Sequence, residues 1–307
     1  MKIVVTGATG FVGSALVPAL LARGDQVTVL SRNAAKAKAK LGDVTAVDAD
    51  LEAPGPWTAA LADAHAIIHL AGESVGVKRW NARQKQIVRD SRIEATRTIV
   101  EAIAALPAAS RPKVLVSASG TDFYPFAVDT DDFDDDPVPE TDAPGESFLA
   151  RVCRDWEKEA LAAVALGVRV AVMRTGLVLG PGGALDKLTT PFKFFVGGRI
   201  GHGRQFMPWI HRDDVVAGYI AAVTDERYRG PINLVRASVR NAEFSKVLGK
   251  VLGRPSWLPV PGFAVKAAAG EFAEYVLNGR NVVPARLTEL GFVWKYDQLA
   301  DALAAVR

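Results

Sequence analysis

Between an apolar run at 2–5 and a helical stretch opening near residue 11 stands Thr6-Gly7-Ala8-Thr9-Gly10-Phe11-Val12-Gly13. Gly7 suits a tight turn, Gly10 lets backbone approach a pyrophosphate, and Gly13 permits close helix–strand packing. Phosphates would then meet free N–H groups at the positive end of the helix, with Thr9, Phe11 and Val12 in the same turn. At the end of the second apolar run come Ser31 and Arg32. An acid there would bind the ribose hydroxyls and repel an added phosphate. An arginine does the reverse, offering a planar fork to a 2′-phosphate, and Lys36 adds charge beside it. The expected cofactor is NADP(H).

The elements that must hold this loop follow from two alternating periods. Runs at 2–5, 26–30, 44–47, 66–70 and 113–117 are rich in Val, Ile and Leu, as strands buried on both faces require. Helical stretches at 11–23, 34–40, 82–105 and 148–165 separate them, and 168–173 reads as a further strand. Strands alternating with helices predict an α/β fold, a Rossmann-type doubly wound parallel sheet. After Arg174 the rhythm changes: 176–203 reads as loop-rich. Helices are expected at 213–224, 241–252, 263–277 and 299–306, with a strand at 232–235. The predicted organisation is an NADP-binding domain over 1–175, rejoined by 209–235, and a smaller interleaved α/β substrate lobe with a C-terminal module over 176–307.

Composition narrows the function classes. With 307 residues, 49% hydrophobic and 23% charged, the chain can bury a core. A net charge of +3 is a weak footprint for nucleic acid. One cysteine, Cys153, excludes an internal disulfide and any multi-cysteine metal site, and no metal is expected. The start lacks a signal-peptide run and no segment reads as a membrane span, so a cytoplasmic protein without a membrane partner is expected. The acidic tract at 129–136 lacks calcium-loop spacing and reads as a solvated loop.

The Gly-x-x-Gly-x-x-Gly spacing resembles the extended branch of the short-chain dehydrogenase/reductase superfamily, and further segments are similar in order. Asp50-Leu51 resembles the site beside the adenine, and Leu70-Ala71-Gly72 the strand end lining the cofactor. Val116-Ser117-Ala118-Ser119 resembles the strand carrying the catalytic serine, and Arg174-Thr175-Gly176 the turn past the nicotinamide. Ala71-Gly72-Glu73-Ser74, Lys78-Arg79-Trp80, Cys153-Arg154-Asp155-Trp156-Glu157 and Gly203-Arg204-Gln205 resemble the NAD-dependent epimerase/dehydratase-like "epimerase family" proteins, which end in a small C-terminal module. The likeness implies an atypical oxidoreductase or sugar-nucleotide epimerase-like enzyme.

The superfamily's proton chemistry uses Tyr-x-x-x-Lys, the lysine lowering a phenol pKa that otherwise lies near ~10. Here alignment places Leu149 and Cys153 at those positions, so the dyad is absent. Ser119, Tyr124 and Glu73 are the candidates for catalysis. Arg79, Gln205, Trp209 and His211 are the candidates for substrate binding, which the positive mouth suggests is anionic or nucleotide-linked. Arg79 pairing with the tract at 129–136 is the structural alternative. A non-catalytic NADP(H)-binding sensor is the functional one.

Overall fold

The computed structural model describes residues 1–76, 78–126 and 135–306. The apolar runs become β1 (Lys2–Thr6), β2 (Gln26–Ser31), β3 (Thr45–Asp48), β4 (Ala66–His69), β5 (Val114–Gly120) and β6 (Arg169–Thr175). After a short β7 (Leu177–Leu179) and β8 (Phe206–His211), β9 (Gly230–Leu234) completes a seven-stranded sheet in the order β3-β2-β1-β4-β5-β6-β9. Every pairing in it is parallel. Parallel strands need crossovers, and these bury both faces. On one face α1 (Gly13–Ala22), α2 (Ala34–Leu41) and, later in the chain, α6 (Arg212–Thr224) cover Ile3, Val5, Ile68 and Val116. On the other, α3 (Ala82–Ala105) and the end of α4 (Phe148–Leu161) cover Val4, Ile67, Leu115 and Val172. Adjacent residues of one strand thus serve opposite cores.

Several expectations need correction beyond Thr175. The segment 176–203 is not a plain loop, since it holds β7 and α5 (Ala184–Lys193). With β10 (Ala237–Arg240), β7 and β8 make a second sheet in the order β10-β8-β7. Its inner face packs against α5, α7 (Asn241–Leu252) and α11 (Leu299–Ala304) through Leu179, Phe192, Trp209, Phe244 and Leu303. The expected helix at 263–277 breaks at Gly270, whose φ of +61° suits glycine, into α8 (Gly262–Ala269) and α9 (Ala273–Leu277). α10 (Ala285–Glu289) was not anticipated. Of the acidic tract only Asp135 and Asp136 lie within the described residues, and Asp135 pairs with Arg240.

Candidate functional site

The order of the large sheet reverses direction between β1 and β4, where an open α/β sheet leaves a crevice beyond its strand ends. The glycine loop fills one lip of it. Gly7 has φ +67°, and a Cβ there would stand 2.6 Å from the Leu70 carbonyl carbon. A Cβ on Gly13 would stand 2.5 Å from the Gly7 carbonyl oxygen. Gly10 N–H donates to that oxygen at 3.0 Å. Phe11 and Val12 N–H donate to no backbone acceptor among the described residues, which leaves them to an anion. Gly13→Ala is expected to destabilise the fold by about 1–3 kcal/mol, the scale of overpacking against backbone. Urea unfolding measures it, and a change within a few tenths would refute the packing role.

Arg32 lies exposed after β2, and its charge reaches Glu73 across the crevice. Ser31 folds back on Asn33, whose side chain caps α2 by accepting from Lys36 N–H at 2.8 Å. Lys40, one turn beyond Lys36, donates to the Thr9 carbonyl at 2.8 Å. That contact escaped sequence reasoning, though the four-residue spacing of the lysines carried the signal. Asp50 and Leu51 follow β3: Asp50 accepts from Glu52 N–H at 3.1 Å, and Leu51 packs on the core around Trp57.

The other lip is the end of β4. His69 is fully buried, and burial pushes its imidazole down to about 4, so it is neutral. Its Nδ1 lies 2.7 Å from Thr6 Oγ1, which accepts from Ala71 N–H at 3.3 Å. This chain fixes Leu70-Ala71-Gly72 against the glycine loop. Glu73 follows, paired with Lys78 at 3.0 Å, and that partner holds its carboxyl below the usual range. Behind it Arg92 of α3 donates to the Glu73 carbonyl at 2.9 Å and lies over the Trp156 ring at 5.3 Å.

Three candidates lie beneath the crevice rather than in it. Ser119 is buried and donates to Glu157 Oε1 at 2.7 Å. Glu157 takes Arg174 as a fork, Nε at 2.9 Å on Oε1 and Nη2 at 2.8 Å on Oε2. Arg174 Nη1 donates to Tyr124 Oη at 2.8 Å and to the Glu140 carbonyl at 3.1 Å. Tyr124 in turn donates to Asn233 Oδ1 at 2.6 Å, and burial pushes its phenol up to about 12. Catalysis by Tyr124 and cofactor contact by Arg174 are therefore corrected: both side chains are enclosed and saturated by protein partners. Thr175 ends β6 with its hydroxyl on the Met173 carbonyl at 3.1 Å, and Gly176 is needed where a Cβ would meet the Pro208 carbonyl at 2.5 Å.

The proposed substrate residues do not converge either. Trp209 is buried in the core of the small lobe, which leaves no face for a ligand to stack on. Gln205 is buried and donates to the Ile200 and Val276 carbonyls at 3.1 and 3.2 Å, so it fastens the C-terminal module. His211 caps α6 by accepting from Asp213 N–H at 3.1 Å, and its ring lies 3.9 Å from that of Tyr296. Arg79 is exposed beside Gly270.

What sequence reasoning missed is Asp122, just past the end of β5. Its Oδ2 lies 3.5 Å from where a Cβ on Gly120 would sit, with Cys153 Sγ 3.8 Å from the same point. The carboxyl accepts no hydrogen bond among the described residues, and burial lifts it to about 6 despite the Arg92 charge. Burial and the neighbouring carboxylates push the Cys153 thiol up to about 12, so it is an inert filler in place of a lysine. Above, Tyr275 from α9 accepts the Leu149 N–H at 3.0 Å, and its ring joins Trp80, Phe148 and Phe272 in an aromatic roof. No signal in the sequence tied residue 275 to residue 149.

Comparison with known proteins agrees with this geometry. The model of the NAD dependent epimerase/dehydratase family matches residues 3–234, and a domain of unknown function (DUF1731) matches 260–306. The chain is 41% identical to the chloroplastic epimerase family protein SDR39U1 homolog of Arabidopsis thaliana, over 100% of this chain and 86% of that protein. An epimerase family protein of Mycobacterium leprae is 36% identical over 98% of this chain and 94% of its own. The crystal structure of human epimerase family protein SDR39U1 (isoform2) with NADPH superposes with a TM-score of 0.83 at 32% identity, covering 100% of this chain and 99% of that one. UDP-glucuronic acid 4-epimerase from Bacillus cereus, at 19% identity, shares the fold with a TM-score of 0.78 over 100% and 98% of the two chains. The Rossmann-like sheet, the glycine cradle and these matches place the chain in the NAD-dependent epimerase/dehydratase family, among its epimerase family proteins with a C-terminal DUF1731 module.

Proposed function

We propose that this chain is an NADP(H)-dependent oxidoreductase of a polar carbonyl or hydroxyl substrate, with Asp122 as its acid–base group. The observation that carries the proposal is a half-buried carboxyl just past the end of β5 that accepts no hydrogen bond among the described residues, close enough to Arg92 and Tyr275 for their charges to interact. A group whose pKa lies near neutrality is the better proton donor, and Asp122 at about 6 meets that condition. Tyr275, pushed up from its ordinary value by burial, does not. Glu73, held down by Lys78, is suited to accept hydrogen bonds rather than to exchange protons.

The residues fit the cofactor. Gly7, Gly10 and Gly13 leave room for a pyrophosphate, the free N–H groups of Phe11 and Val12 face it, and Arg32 with Lys36 would hold the 2′-phosphate. Leu70, Ala71, Gly72 and Thr175 would line the nicotinamide end, and Asp50 and Leu51 the adenine. Bound there, the dinucleotide supplies or takes a hydride. The relative solved with NADPH supports this choice over NAD. Sugar-nucleotide substrates, as the UDP-glucuronic acid 4-epimerase complex contains, are the class to try first.

The test is direct. Arg32→Asp should weaken NADPH binding by about tenfold or more and leave NADH equal or better, because a charge-assisted pair becomes a repulsion. Equal affinity of the parent for both cofactors would remove the assignment. Parent protein with NADPH or NADP+ is then expected to change nicotinamide absorbance with one of a panel of nucleotide sugars, aldehydes and quinones. Tight cofactor binding without turnover on any of them would favour the sensor, a reading helped by the sequestration of Ser119 and Tyr124.

A further inference from the structure

Away from the crevice, the small lobe carries a face that nothing above uses. After Phe192, buried in its core, the chain turns outward and exposes Phe194 (72%), Phe195 (54%) and Val196 (42%). A second loop sets Trp257 (64%) and Leu258 (39%) beside them. The two loops are fastened together. Trp257 and Leu258 N–H both donate to the Gly197 carbonyl, at 3.1 and 3.2 Å, and the Trp257 indole donates to the Phe195 carbonyl at 3.0 Å. Phe195 has φ +62°, a strained conformation for an aromatic residue, and it holds the ring outward under the Arg254 guanidinium at 4.5 Å. Contiguous apolar surface of this kind, rigidly presented, marks an interaction site.

Cations dominate the segments that carry it, with Glu243 the acid at their edge. From Leu188 to Gly203 the chain has Lys193 and Arg199 and no Asp or Glu; from Phe244 to Val265 it has Lys246, Lys250 and Arg254 and again no acid. None of the five forms an ion pair among the described residues. Arg199, Lys246, Ser256 and Trp257 line one cavity of about 210 Å³ next to the aromatics.

We infer that this face docks on an anionic bilayer surface, the aromatics and Leu258 entering the interface while the lysines and arginines meet lipid phosphates. Trp and Phe beside a cationic rim is the composition that interfacial binding selects. A second copy fits poorly, because a two-fold contact would bring one cation-rich patch against another. No spanning helix is required; none of the described helices is long and apolar enough to cross a membrane. The expectation of no membrane partner rested on spanning segments alone. This inference is independent of the proposed reaction.

Flotation of the full chain with phosphatidylcholine vesicles, and with vesicles enriched in phosphatidylglycerol, tests it. Binding is expected only to the anionic vesicles, with a blue shift of tryptophan emission and release by added salt. Phe194→Ser and, separately, Lys246→Glu with Arg254→Glu should each lower partition by about tenfold or more. All three positions are exposed, so the thermal transition should stay in place and show that the fold persists. Absence of binding to anionic vesicles, or equal binding by parent and variants, would overturn the inference. So would a concentration-dependent dimer, or capture of single-stranded oligonucleotide, that requires Phe194 while vesicles are ignored.

Discussion

Replacing Glu157 with glutamine is expected to lower the unfolding free energy by about 3–5 kcal/mol, the cost of leaving one partner of a buried ion pair uncompensated. Arg174 and Glu157 are both almost wholly enclosed, and their two-pronged contact is also the acceptor for Ser119. A glutamine keeps the shape but removes the charge that balances the guanidinium. Ser119 and Tyr124 then compete for poorer partners, so the effect spreads into β5 and β9. The exposed pair Arg227–Asp225 is screened by water and contributes little, so its disruption is the natural comparison. Urea unfolding of both variants decides the matter: a loss for Glu157→Gln no larger than for Asp225→Asn would show that the network is dispensable. Replacing both Glu157 and Arg174 with leucine should recover part of the loss, because a paired apolar replacement leaves no orphaned charge.

Asp122→Asn should lower turnover by about 10²–10⁴, the usual contribution of general acid–base catalysis, and leave NADPH affinity unchanged. The protonated carboxyl is the donor, so the reductive rate of the parent should fall as pH rises through about 6. The variant should show no such inflection. Stability supplies a second readout with its own sign. A carboxyl raised from the ordinary 3.8 to about 6 binds its proton more tightly when folded, so its contribution is complete below about 3.8 and is lost as pH rises through about 6. Asparagine cannot ionise, so the variant should lack this loss and be no less stable than the parent near neutrality. An unchanged pH–rate profile in the variant would eliminate Asp122 as the proton donor, whatever the cofactor.

The large sheet was legible because strands covered on both faces are nearly continuously apolar, as 66–70 and 113–117 are apart from His69, Lys113 and Ser117. The glycine cradle was legible because its three positions are each demanded by backbone geometry. The small sheet was not. β8 contains Pro208 and ends at His211, and β7 has three residues, so neither carries a period long enough to detect. The site was misjudged for another reason. Polar residues near strand ends look like ligands for a crevice until their partners are known. Tyr124 finds Asn233 at a separation of 109 residues, and Gln205 finds Val276 at 71. Such distances leave no local trace. Asp122 shows the converse: nothing in its neighbours sets it apart from a loop aspartate, and only the closing of α4 and α3 around it gives it a raised pKa.

Where the C-terminal module meets the sheet also bears on how this chain can be recombined. Glu140 Oε1 accepts from Asn233 N–H at 2.9 Å and from Arg286 N–H at 3.2 Å, while Asn233 Nδ2 donates to the Val283 carbonyl at 2.9 Å. Val138 forms a bridge with Val282 in the same place. One carboxylate oxygen thus serves a strand of the large sheet and the first turn of a helix in the other family segment. The two segments are legible as separate blocks along the chain, yet they are not exchangeable parts. A chimera joined near residue 260 would leave the buried Glu140 carboxylate with the Asn233 N–H but without its second donor, unless the incoming module supplied an N–H at the place of Arg286. Grafts that carry 138–140 together with 282–286 should remain soluble, and grafts that split the pair should not.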